Sequence, residues 1–136
     1  MTTSNPTNTT EPKYRSITLT ERRPVRIREN NWPIVAKGRG DSFGSRDYSR
    51  HQQALSQGEL DRYYLTVRQH ADGRAIVYGS LDAASAWTGS EDRAGGETLD
   101  ASADLAAAVR RVGEYCQLPD AIIRECIADL PAETLE

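Results

Sequence analysis

The sequence predicts an α+β domain, a small antiparallel sheet of three to five strands packed against one or two C-terminal helices. Three observations carry that prediction. Apolar residues alternate with polar ones near the start of the chain, the stretch LTVRQHADGRAIVYG at 65–79 reads as a β-hairpin, and beyond residue 100 the apolar spacing becomes helical. With 136 residues, 38% of them hydrophobic and 27% charged, the chain has room for one core.

Taken in order, the first eleven residues, MTTSNPTNTTE, hold no aliphatic side chain beyond Met1, so residues 1–13 are expected to form a disordered tail and 14–136 a single domain. The tail lacks the basic start and apolar run of a secretory signal. No later segment reaches the roughly 18 apolar residues of a membrane helix, and the expectation is a cytoplasmic protein without membrane contact. In SITLT (16–20) and PVRIRE (24–29), Ile17, Leu19, Val25 and Ile27 alternate with polar residues as in half-buried strands. Pro24 suits the first residue of a strand or an edge, where a missing donor is tolerated. WPIVAKG (32–38) is a third short strand or a turn leading into one, with Trp32 as a core anchor. Residues 38–61 break every periodicity, and glycines at 38, 40, 44 and 58 indicate a long irregular connection with room for a short helix at 49–56. Long connections of this kind are often functional, which makes this one a candidate partner-binding surface.

In the hairpin, a three-residue loop Ala71-Asp72-Gly73, with Gly73 left-handed after a type I turn, pairs Val67 with Val77, Leu65 with Gly79 and Tyr63 with Leu81. One face becomes uniformly apolar. Arg68, His70, Arg74 and Tyr78 are then expected on the other, facing solvent or a partner. Residues 85–99 suggest one short strand around Trp87 and a glycine-rich turn. Leu105, Val109, Val112 and Cys116 define a helix over about 102–117, capped by Asp100 or Ser102, and Pro119 opens a second helix that buries Ile122, Ile123, Cys126, Ile127 and Leu130 until Pro131 stops it.

His70 is the natural catalytic candidate, because imidazole titrates near neutrality and sits here between Arg68, Asp72 and Arg74. A hairpin tip supplies neither a nucleophile nor a pocket, and Asp72 suits turn chemistry, so a structural or contact role is expected. His51 has no matched partner. The chain contains no Walker loop, nucleophile elbow, HExxH or dinucleotide-binding fingerprint; GRGDSFGS lacks the Gly-Lys-Ser/Thr ending that would cradle phosphate. Cys116 and Cys126 lie in helical apolar patterns without clustered ligands and read as buried free thiols. No catalytic residue, cofactor or metal is expected, and the protein reads as a non-enzyme. The helical pair does not read as a helix-turn-helix, because Arg124 is the only base on a second helix that carries Asp120, Glu125 and Asp129.

The net charge of −3 conceals a polarity: residues 12–74 carry 13 of the 17 Lys and Arg against 7 acids, and residues 75–136 carry 4 against 12. Such polarity fits a macromolecular partner, a charge-paired dimer, or complementary faces of one fold. The basic segment Arg22, Arg23, Arg26, Arg28, Lys37, Arg39, Arg46 and Arg50 suits phosphate and carboxylate partners equally, or simply a solvated strand face. Glu91, Asp92, Glu97, Asp100 and Asp104 offer either a phosphate-like patch or ordinary acidic residues near a helix start.

The series ITLTERRPVRIRENNWPIVA, then LTVRQHADGRAIVYG, then a Gly-Gly turn before LAAAVRRV resembles a group of small accessory proteins carried on bacterial plasmids and other mobile elements. The resemblance spans residues 16 to about 112, and the 38–61 segment is longer than in that group. The group has no settled activity, so the resemblance supplies no functional residues; it implies an inhibitor of host defence, of the anti-CRISPR or anti-restriction type, or a regulator of plasmid maintenance. The leading expectation is a non-enzymatic protein that binds a host protein or ribonucleoprotein complex through Arg39, Arg46, Arg50, Arg68, His70, Arg74, Tyr78, Glu91, Asp92 and Glu97. The alternative is a nucleic-acid-binding module using Arg22, Arg23, Arg26, Arg28 and Lys37. The oligomeric state is left open.

Overall fold

The computed structural model describes residues 12–41, 61–83 and 91–132. They form an α+β fold. Strands β1 (Tyr14–Ile17) and β2 (Val25–Arg28) make a two-stranded hairpin, and β3 (Ile34–Asp41), β4 (Arg62–Gln69), β5 (Ala75–Asp82) and β6 (Arg93–Leu99) make an antiparallel meander in the order β3-β4-β5-β6. Helices α1 (Leu105–Tyr115) and α2 (Asp120–Asp129) follow. The expected tail meets the fold at Lys13, whose carbonyl accepts the Glu29 N–H at 2.9 Å; residues 1–11 lie outside the described residues, as do 42–60 and Trp87 with its expected strand.

The β4–β5 hairpin has the bulged register: Val67 pairs with Val77, Leu65 with Gly79 and Tyr63 with Leu81. Gly73 takes φ +97°, and its N–H closes the turn onto the His70 carbonyl at 2.9 Å. A positive φ is cheap only without a Cβ, which is why glycine stands there.

Three layers result. The odd-numbered residues of β4 and β5, Leu65, Val67, Val77 and Leu81, join Ala36 under Val109, Val112, Cys116, Ile122, Ile123 and Cys126 of the helical segment to form the main core. On the opposite face the β1–β2 hairpin lies over β5, burying Ile17, Leu19 and Ile27 against Ile76, with Val25, Trp32 and Tyr78 around them. Strand β5 is therefore covered on both sides. Its run Ala75-Ile76-Val77 is continuously buried rather than alternating, as strands between two layers are.

Three expectations are corrected. Residues 38–41 belong to β3 and pair with Leu65 through Arg62, so the irregular connection does not begin at Gly38. The segment after Asp92 is a full edge strand rather than a turn, and Thr20 caps its edge: the Thr20 N–H donates to the Gly96 carbonyl at 2.9 Å, and the Gly96 N–H to Thr20 Oγ1 at 3.1 Å. Asp104, not Asp100 or Ser102, caps α1, accepting the Ala107 N–H at 3.2 Å. Residues 101–103 instead form a turn closed by the Ala103 N–H on the Asp100 carbonyl, so the helix cannot start before it. Pro119 stands just before α2, where a missing N–H costs nothing, and Ile122, Ile123 and Cys126 face inward as expected.

Candidate binding face

The hairpin tip departs most from expectation at Arg68, which is not offered to a partner. It is 6% exposed beneath the β1–β2 hairpin. Its Nε donates to Tyr78 Oη at 2.8 Å, one terminal nitrogen donates to the Trp32 carbonyl at 3.0 Å, and the other lies 3.9 Å from Glu29. Glu29 in turn takes Arg15 Nε at 2.6 Å, a hydrogen bond that holds its carboxyl below the usual glutamate range. Tyr78 is half-buried as the hydroxyl partner of Arg68, and it too belongs to the hairpin seat.

His70, Asp72 and Arg74 remain at the surface and order the turn. The Asp72 N–H donates to His70 Nδ1 at 3.1 Å; the Asp72 carboxylate accepts the Arg74 N–H at 3.0 Å and Arg74 Nε at 2.8 Å. These bonds, the backbone one foremost, keep the Asp72 carboxyl below its ordinary range. The same His70 Nδ1 lies 3.2 Å from Asp72 Oδ1. The His70 ring meets Trp32 edge-on at 5.0 Å between centroids, and the Arg74 guanidinium lies 5.2 Å above the Trp32 ring.

Together with β2 these groups border an open cleft of about 580 Å³ lined by Arg26, Arg28, Trp32, His70, Arg74 and Asp100 among others. Alternation along β2 explains the lining: Ile27 points into the second core, so Arg26 and Arg28 point out. Arg26 stacks over Tyr14 at 4.3 Å. A second cleft of about 470 Å³ lies across the Thr20 strut, with Arg22, whose guanidinium donates to Thr98 Oγ1 at 3.1 Å, on its border. Arg23 is exposed beside it. Lys37 and Arg39 of β3 pair with Thr66 and Tyr64, and are therefore on the hairpin side of the sheet; Arg39 lies 5.6 Å over the Tyr64 ring. The nucleic-acid set Arg22, Arg23, Arg26, Arg28 and Lys37 is thus brought to one side of the molecule with Arg39 and Arg74. Arg46, Arg50 and His51 lie outside the described residues.

Pairing separates the two sides. Among the described residues, Arg22, Arg23, Arg26 and Arg28 form no ion pair. On the helices Arg110 and Arg124 both reach Asp120, at 3.2 and 2.8 Å, and Arg111 grips Glu97 at 2.8 Å. The acidic residues are correspondingly occupied: Glu97 by Arg111, Asp104 by the α1 cap, and Asp92 by the Ala83 N–H at 2.7 Å, while Glu91 is exposed. Of the three readings of the charge polarity, the fold supports opposite faces. Residues 13–29 carry six cations against two carboxylates on one side of the sheet, and residues 104–129 carry three against five on the other.

Both cysteines are buried in the main core, and burial pushes the Cys116 thiol up to about 11 and the Cys126 thiol up to about 12. The thiolate is the reactive form. Neither thiol is expected to react with a colorimetric disulfide reagent near pH 8 until denaturant is added, when both should; one rapid native equivalent would contradict the packing. Among the described residues, no group of three or more His, Cys, Asp or Glu is placed to hold a metal ion, and no helix is long and apolar enough to cross a membrane. No protein family, curated protein or solved structure matches this chain.

Proposed function

We propose that this is a non-enzymatic binding protein of a mobile genetic element that inhibits a host defence complex by occupying an anionic surface of it. The observation that carries the reading is the contrast in pairing: among the described residues, Arg22, Arg23, Arg26 and Arg28 are held out without carboxylate partners, Arg15 alone of the β1–β2 arginines being bound to Glu29, whereas the arginines of the helices are neutralised. Unpaired, solvated guanidinium groups gathered on one side raise the local positive potential and steer acidic partners. The resemblance to accessory proteins of plasmids supports the mobile-element origin. Tyr78 and Arg68 leave the contact set because they are occupied internally, and Arg22, Arg23, Arg26 and Arg28 enter it beside His70, Arg74 and Arg39.

The test is affinity capture of the tagged full chain from host lysate, with and without nuclease, read by mass spectrometry. A stoichiometric host complex that is lost with Arg26→Glu/Arg28→Glu and retained with Glu114→Lys/Glu125→Lys on the helical side is the expected result. Reversing two charges at a steered contact should reduce association on the order of 100-fold at low salt. Equal capture by both charge variants would sink the proposal.

A further inference from the structure

We propose that the cleft between β2 and the β4–β5 turn takes a single-stranded nucleic-acid segment, its phosphates on Arg26 and Arg28 and a base against the Trp32–Arg74 pair. This inference rests on the arginine face described above and names what one part of it binds. The cleft is concave, about 580 Å³, and its rim is built from flat groups rather than from charge alone. Arg74 lies over Trp32 and Arg26 over Tyr14, and on the same side of the sheet Arg39 lies over Tyr64.

An acidic protein surface asks only for cations. A single strand alternates an anion with a planar, polarisable ring, and guanidinium planes and aromatic rings are the groups on which unstacked bases lie. The cations of the cleft are arginines, which offer phosphate a bidentate fork as well as a stacking plane. The carboxylates of this region do not cancel them: Asp72 is held by Arg74, and Glu29 by Arg15 with Arg68 behind it. Among the described residues that line the cleft, Asp100 is the one carboxylate, and it forms no ion pair. The helices pack on one face of the four-stranded sheet and the β1–β2 hairpin with the cleft lies on the other, which keeps the cleft clear of the helical layer.

The experiment titrates the full chain into fluorescein-labelled oligo-dT of about 20 nucleotides, and into a duplex of the same length, following anisotropy from about 50 to about 200 mM salt. With about three phosphates neutralised, affinity should fall roughly 20-fold over that range, a log–log slope of about −2. Arg26→Ala/Arg28→Ala should weaken binding and flatten the slope by more than about 1. In a Trp87→Phe background the oligonucleotide should quench Trp32 emission, as a stacked base would. Circular dichroism identifies a variant that fails to fold, and single replacement of Arg28 by Lys, which keeps charge but loses the fork, is then read instead: it should leave the slope and weaken affinity. No binding at the lowest salt, an unchanged slope in the double variant, or tighter binding of the duplex would overturn the inference. If the same variants still lose a nuclease-resistant host protein while no oligonucleotide binds, the inference fails and the proposed function stands.

Discussion

Arg68→Ala is expected to destabilise the fold by about 3 kcal/mol, the loss appearing first as detachment of the β1–β2 hairpin. The side chain is buried beneath that hairpin and satisfies two half-buried groups, the Tyr78 hydroxyl and the Trp32 carbonyl. Removing one partner of a buried hydrogen bond costs roughly 1–3 kcal/mol per group left unpaired. Its 3.9 Å approach to Glu29 adds little, because Glu29 keeps Arg15 and stands partly in solvent. Arg68→Met restores most of the volume and isolates the polar share, for which about 2 kcal/mol is expected. Tyr78→Phe should cost about 1 kcal/mol, and the Arg68→Met/Tyr78→Phe double variant should show coupling of similar size, since the two lose the same bond. Urea denaturation of the four proteins measures this. Additive losses would show that the Arg68–Tyr78 bond contributes nothing to the seat.

That buried arginine also marks where the sequence stops being legible. The β4–β5 register is legible because a single-residue slip would mix Gln69 and Ser80 into an apolar face, and only the bulged loop avoids it. Both helices are legible from their stripes. The second core is not, because the hairpin pattern taken alone suggests one buried face and one open face. The run Ala75-Ile76-Val77 on β5 carries the missing signal: three consecutive apolar residues ask for cover on both sides, and Ile17, Leu19 and Ile27 are available to supply it. Once the β1–β2 hairpin lies over Ile76, Arg68 beside it in the register must be buried, and its donors must find acceptors. The candidate site is legible in composition but not in position. The arginines of 22–28 are visible as a cluster; that Arg74 and Trp32 join them depends on a packing of layers that no local pattern encodes.

Glycine misleads for a related reason, and Gly38→Ala tests its role in the fold with an expected loss of about 3 kcal/mol. Gly38 and Gly40 suggest a loop, since glycine commonly marks turns, yet both stand in β3. Glycine inside a strand also marks close approach of another element, and here α2 lies directly on it. A Cβ at Gly38 would fall 2.4 Å from the Ile122 carbonyl oxygen and 3.2 Å from the Cys126 nitrogen, both backbone atoms of a helix whose inner residues Ile122, Ile123 and Cys126 fill the main core. Backbone cannot swing aside, so the helix must lift. Forced overpacking of this kind costs roughly 1–3 kcal/mol, and the lifted helix loosens its packing on the core as well. At Gly40 the nearest atom is Ile122 Cδ1 at 2.7 Å, the tip of a side chain that can rotate away. There the clash is offset by the lower unfolded-state entropy of alanine, worth roughly 0.4–1 kcal/mol, so Gly40→Ala should be close to neutral. For a domain of this size the Gly38 variant should melt roughly 10 °C or more below the parent and the Gly40 variant within a few degrees of it. Equal melting temperatures for the two would mean that the glycines serve the backbone of β3 rather than the seat of α2, and that the helix could slide on the sheet without loss.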